Sequence, residues 1–127
     1  EPVGFSIFGD GKQLTWALDM GYLTEGVKEE LKRAHVLVVE SNYDLAKLEA
    51  DKRRPFSLKA RIKGRHGHLS NDEAFEFLDK TRSPNWEAIY LAHLSGDCND
   101  AEGLRARYAV TGLPVEVVDP VGRMVEA

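Results

Sequence analysis

His35–Glu40 reads HVLVVE, four consecutive apolar residues between a histidine and a glutamate. The run is too short for a free-standing helix and does not alternate with polar residues. It predicts a strand buried on both faces, the kind found inside parallel sheets. Such a strand needs hydrogen-bonding neighbours and covering layers, which commits the chain to an α/β arrangement.

The flanking segments supply those layers. GFSIF, the turn Gly9-Asp10-Gly11 and KQLTWAL predict two strands joined as a tight hairpin. Thr24 caps a helix through Arg33 with Val27, Leu31 and Ala34 on one face. Asp44–Asp51 reads as helical, and Pro55 opens a further helical turn, PFSLKARI. Ser70-Asn71-Asp72-Glu73 is a capping box for a helix burying Ala74, Phe75 and Leu78. Asn85–His93 predicts a strand, and Asn99 with Glu102 repeats the capping pattern for a helix carrying Leu104 and Tyr108. Short strands are expected at Pro114–Val118 and Val121–Val125, around the turn at Asp119-Pro120. The expected order is β-β-α-β-α-α-β-α-β-β. The triplet HLS occurs at His68–Ser70 and His93–Ser95, entering a helix once and leaving a strand once, so it marks no repeat.

No apolar run approaches the length of a membrane span, so no membrane partner is expected. No charged segment backed by an apolar stretch opens the chain, and the single cysteine, Cys98, lacks an internal partner. A cytoplasmic location is therefore expected. The net charge of −4 argues against a general nucleic-acid coat, but the charge is unevenly spread. KRRPFSLKARIKGRHGH, from Lys52 to His68, holds seven of the 17 Lys and Arg residues and no acid, leaving 10 basic residues against 21 acidic ones elsewhere. Such a stretch can be a solvated helix face or a local attractor for an anionic substrate.

Three strands end in chemistry-bearing side chains: KQLTWAL before Asp19, HVLVV before Glu40, and WEAIYLA before His93. Ligands of open α/β sheets collect outside the carboxyl ends of strands. Singly, each residue reads as a turn, loop or core group, and His35 and His66 read as ordinary surface or strand-edge residues. Together with His68, however, the set of one Asp, one Glu and two His has the composition of a metal or acid–base site.

The stretches ALDMGYLTEGVKEELKRAHVLVVESNYD, LKARIKGRHGHLSNDEA and LAHLS followed by an Asn resemble the metallo-β-lactamase superfamily. The likeness is to its YycJ/WalJ-like branch of metal-dependent hydrolases, related to ribonuclease Z and other phosphodiesterases. It implies an α/β fold, the C-terminal half of a metallo-β-lactamase αβ/βα sandwich with one mixed sheet flanked by helices. It further implies that Asp19 bridges two metal ions and that His93 is a ligand of the second. Glu40 is similar in position to a glutamate of ribonuclease Z, and His68 to a histidine that assists the leaving group or the scissile phosphate there.

Two divalent cations about 3.5–4 Å apart need an anionic bridge, which an aspartate supplies. Zn²⁺ or Mn²⁺ suits a His/Asp site. Ser70 and Asn71, at a helix start, are expected to meet phosphate oxygens, and Lys59 and Arg61 to meet neighbouring phosphates of a polymer. The superfamily's HxHxDH motif is absent from the sequence. Residues 1–127 are thus expected to form the C-terminal half of a hydrolase domain that holds two metal ions when complete. This chain by itself is expected to bind metal weakly and to lack activity. It should accompany the missing N-terminal half, or form a homodimer through exposed apolar surface. The expected substrate is a nucleic acid or another phosphodiester. The competing readings are hydrolysis of a small ester, thioester or lactone, and a non-catalytic α/β interaction module.

Overall fold

The computed structural model describes residues 4–64, 67–95 and 98–118. Strands β1 (Gly4–Gly9) and β2 (Lys12–Ala17) form the hairpin, followed by helix α1 (Glu25–Arg33) and strand β3 (Val36–Glu40). Three helices follow, α2 (Leu45–Ala50), α3 (Phe56–Lys63) and α4 (Asn71–Thr81). Strand β4 (Ala88–Ala92), helix α5 (Ala101–Ala109) and strand β5 (Val115–Val117) complete the described chain. Among the described residues one helix more than expected lies between β3 and β4, because the turn opened at Pro55 runs on to Lys63. The strand expected at Val121–Val125, like His66, lies outside the described residues.

The five strands form one mixed sheet in the order β1-β2-β3-β4-β5, with β1 antiparallel to β2 and the other pairs parallel. The expected α/β class, one mixed sheet flanked by helices, is what the chain adopts. At the hairpin turn Asp10 and Gly11 take positive φ, 52° and 76°, the requirement of a tight two-residue connection. Thr24 caps α1 by accepting from the Val27 N–H at 3.1 Å. The Ser70–Glu73 capping box forms in both directions, at 3.0 and 3.1 Å.

The two faces of the sheet differ. Thr15, Leu37 and Ile89 form one row, Ala17, Val39, Leu91 and Val117 another, and all are buried. Leu31 of α1, Ala74, Phe77 and Leu78 of α4, and Leu104 and Tyr108 of α5 join them in one core. Each large aliphatic side chain so buried contributes about 1.5–3 kcal/mol. Trp86 locks α1 to this layer by donating its indole N–H to the Leu31 carbonyl at 2.8 Å. The opposite face carries the rows Phe5-Trp16-Val38-Tyr90 and Ile7-Leu14-Val36-Ala88, matched in register across four strands. Phe5, Ile7 and Tyr90 are exposed, and the others only partly buried. The expectation that β3 is buried on both faces is therefore corrected: Leu37 and Val39 are sealed, whereas Val36 and Val38 belong to the more open face.

Asn99 is a second correction. Asp100, not Asn99, occupies the N-cap of α5, and no side chain caps it. The Asn99 amide is engaged elsewhere, donating to the carbonyls of Ser41 and Asn42, both at 2.9 Å.

Candidate active site

Because β2, β3 and β4 are parallel neighbours, their carboxyl ends share one edge of the sheet. β3 ends in Glu40, Asp19 lies two residues past β2, and His93 directly follows β4. Asp19 and His93 both take left-handed backbone, with φ of 58° and 60°. Residues other than glycine hold that conformation only where the surrounding structure fixes it. His68 reaches the same edge from the loop ahead of α4.

Glu40 is the centre of the group. It is completely buried. Its Oε1 accepts the Asp19 backbone N–H at 2.5 Å, while Oε2 faces Nδ1 of His68 at 2.6 Å and Nδ1 of His93 at 3.1 Å. His93 Nδ1 is also 3.3 Å from Asp19 Oδ1. The two imidazoles meet edge to face, their centroids 5.1 Å apart. One ligating atom from each of Asp19, Glu40, His68 and His93 lies within 4.8 Å of all the others. Sequence reasoning expected these four residues at one rim, and the fold brings them together.

Burial pushes the Glu40 carboxyl up to about 7; the neighbouring His93 and the Asp19 N–H oppose that rise, and the Asp19 charge adds to it. Glu40 therefore holds a proton readily at neutral pH, or shares one with an imidazole. With both carboxylate oxygens engaged inside the protein, Glu40 orients the two rings, and each keeps its Nε2 directed away from that contact.

The His68 loop is shaped by close backbone approach. A Cβ on Gly67 would fall 2.2 Å from the Ile62 carbonyl oxygen and 2.3 Å from that of Arg61. The loop folds onto the end of α3, with the His68 N–H donating to Ile62 O at 2.9 Å. Glycine at 67 is the condition for His68 to reach Glu40.

An amide network then ties the loops after β3 and β4 to the start of α4. Ser41 donates its hydroxyl to Asn71 Oδ1 at 2.7 Å, and Asn71 Nδ2 donates to Asn99 Oδ1 at 2.8 Å. Asn42 donates to the His93 carbonyl at 2.5 Å and accepts from the Ser95 N–H at 2.7 Å. Ser70 and Asn71, expected to meet substrate, turn their side chains inward: Ser70 caps α4, and Asn71 belongs to this network. Lys59 donates to the Glu49 carbonyl on α2 at 3.0 Å, and Arg61 lies on the exposed side of α3. Nothing in the one-dimensional pattern separated these cations from Arg54, which instead borders a cavity of about 270 Å³ beside His68 and His93.

The donor chemistry fits a divalent cation. Two imidazoles and an accessible carboxylate suit Zn²⁺ or Mn²⁺. Asp19, His68 and His93 stand at the rim with Glu40 buried behind them, and the four together form a group that could hold an ion. His35 takes no part; at the other end of β3 it accepts the Gln13 N–H at 3.0 Å.

No protein-family model matches the chain. An exodeoxyribonuclease YycJ from Bacillus anthracis is 34% identical over 102 residues, covering 80% of this chain and 38% of its own length. An exodeoxyribonuclease WalJ from Streptococcus pneumoniae serotype 2 is 30% identical over 101 residues, covering 80% and 37% respectively. This chain thus spans well under half the length of the relatives it matches. A crystal structure of a diphosphatase from the PhnP family superposes on 91% of the chain and 39% of its own, with a TM-score of 0.51 at 11% identity. That likeness is one of fold. Among the described residues, no helix is long and apolar enough to cross a membrane.

Proposed function

We propose, on the premise that this chain is a relative of the YycJ and WalJ exodeoxyribonucleases and of metallo-β-lactamase type, that it forms part of a metal-dependent phosphodiesterase acting on nucleic acid. The observation that carries this reading is the convergence of Asp19, Glu40, His68 and His93 within 4.8 Å at the carboxyl edge of three parallel strands. That chemistry needs charge-dense ligands at a rim a substrate can reach, and Asp19, His68 and His93 are all solvent-accessible there.

Asp19 and His93 would hold the cation. When bound, it would supply Lewis acidity toward a phosphoryl oxygen and a water of lowered pKa. The chain's own groups do the rest. Glu40, through Oε2, fixes the Nδ1 side of both imidazoles and so sets which nitrogen faces outward. His68, held through Nδ1 by Glu40, presents Nε2 to the departing oxygen, to which it would hand a proton. The left-handed turns at Asp19 and His93 keep both side chains at the rim instead of letting them follow their strands.

Asp19 and His93 alone fall short of a two-metal centre. Residues 1–127 would then be the C-terminal half of the catalytic domain. The relatives' additional length would supply the remaining ligands and cover the open apolar face. The isolated chain is accordingly expected to bind Zn²⁺ or Mn²⁺ weakly and to show no turnover of a phosphodiester such as bis(p-nitrophenyl) phosphate. The test is calorimetry of the chain with each metal, wild type against Asp19→Ala. Loss of the binding heat in the variant supports the reading; identical isotherms overturn it and favour a non-catalytic module.

A further inference from the structure

We propose that Asn42 is a positioning residue for His93: its side-chain amide clamps the left-handed turn that carries that ring, and so sets the spacing of the two imidazoles. What the pair does chemically rests on the metal-dependent reading of the site; the clamp does not.

The segment just past Glu40 holds both histidine loops, by different means. Toward the His68 loop it uses backbone alone. The Asn42 N–H donates to the Leu69 carbonyl at 2.9 Å, the Asn71 N–H donates to the Tyr43 carbonyl at 2.8 Å, and Tyr43 pairs with Ser70 in an isolated parallel bridge. Toward the His93 loop it uses a side chain as well. Asn42 Nδ2 donates to the His93 carbonyl at 2.5 Å, and the Ser95 N–H donates back to the Asn42 carbonyl at 2.7 Å. One residue thus grips the chain on both sides of Leu94. His93 has a φ of 60°, a conformation that a β-carbon disfavours and that surrounding structure must impose. Packing of the ring does little of this, since 44% of the His93 side chain is accessible. Glu40 Oε2 meets Nδ1 of the ring at 3.1 Å and leaves the backbone to be held from elsewhere. Asn42 is itself buried, and its carbonyl also accepts from Asn99 Nδ2 at 2.9 Å, so the clamp is fixed from behind. Only a donor can serve here: a carboxylate of the same shape would face the His93 carbonyl with an acceptor.

The test reads geometry in the metal-free chain, by NMR in a chelator. The wild type should show a nuclear Overhauser effect between the His68 and His93 rings, whose centroids lie 5.1 Å apart. Its Asn42 side-chain protons should exchange with water more slowly than those of the exposed Asn85. Asn42→Ala should abolish the inter-ring effect and shift the His93 ring signals. The His68 signals should stay, because backbone bonds that the substitution leaves intact hold that loop. Trp86→Phe, which removes a buried hydrogen bond to the Leu31 carbonyl ahead of β4, should leave both rings as in the wild type. Zn²⁺ affinity by calorimetry should fall about tenfold in Asn42→Ala and hold in Trp86→Phe. An unmoved His93 ring in Asn42→Ala overturns the proposal, and so does equal displacement of both rings, which marks a general loosening. If Asn42→Ala does not fold, the native chain decides: Asn42 protons exchanging as fast as those of Asn85 overturn the clamp, and protected ones support it. A wild-type chain that takes up no Zn²⁺, while its ring spacing still depends on Asn42, ends the metal reading and supports the clamp.

Discussion

Asp19 and His93 occupy the same left-handed backbone conformation on either side of Glu40, each just past the carboxyl end of a parallel strand. Neither is glycine, so each position gives up some stability to hold its side chain at the carboxyl edge of the sheet. Replacement by glycine removes the steric conflict of Cβ. His93→Gly is expected to leave thermal stability unchanged or raise it by up to about 1 kcal/mol, while removing metal binding. Paired thermal melts and metal titrations check both halves; a large loss of stability would show that the histidine ring is a packing element.

Glu40→Gln tests the orienting role. The amide keeps the shape but can no longer act as an anionic acceptor for both Nδ1 groups. Metal affinity should fall about 10–100-fold, the usual effect of losing such a supporting carboxylate, with the fold retained. Calorimetry with Zn²⁺, alongside circular dichroism, measures it.

Glu40 also predicts a pH dependence for the metal-free chain. Its folded carboxyl is pushed up to about 7 from an ordinary 4.5. Between those values the folded state binds more protons than the unfolded one, so stability falls as pH rises. The stabilisation is fully present below about pH 4.5 and gone above about pH 7. Urea midpoints measured across this window in a chelator should decline for the wild type and flatten in Glu40→Gln.

Gly67→Ala should be among the most damaging small substitutions. The added carbon meets the backbone of Arg61 and Ile62, which cannot move aside as a side chain can. A loss of about 1–3 kcal/mol is expected, with the His68 ring displaced from Glu40. The ring protons of His68, followed by NMR, report the displacement directly.

The open face of the sheet predicts association. Ile7→Lys and Trp16→Lys interrupt its two apolar rows without touching the buried core. If that face drives self-contact, analytical ultracentrifugation should show the wild-type chain as dimers or larger species and the double variant as monomer at equal concentration.

Much of the fold was legible because its signals are local. The Ser70–Glu73 box, the Thr24 cap and the apolar runs that form β1 to β4 each act within a few residues, and these appear where the pattern puts them. The four-residue cluster was legible because strand ends and side-chain types can be read together. The Asn71–Asn99 link was not, since a buried amide chooses partners by distance in space and looks like a cap in sequence. The same limit applied to the basic stretch. Whether Arg54 or Lys59 faces the recess depends on the path of the connection between α2 and α3 and on how α3 packs after it, and a run of cations carries no mark of either.

Glu40 draws Asp19 from 21 residues away, His68 from 28 and His93 from 53. No early fragment of the fold can contain the constellation, because its last member arrives only when β4 has zipped alongside β3, after the long intervening excursion has closed. Contact between His93 and Glu40 thus reports that β4 has paired with β3.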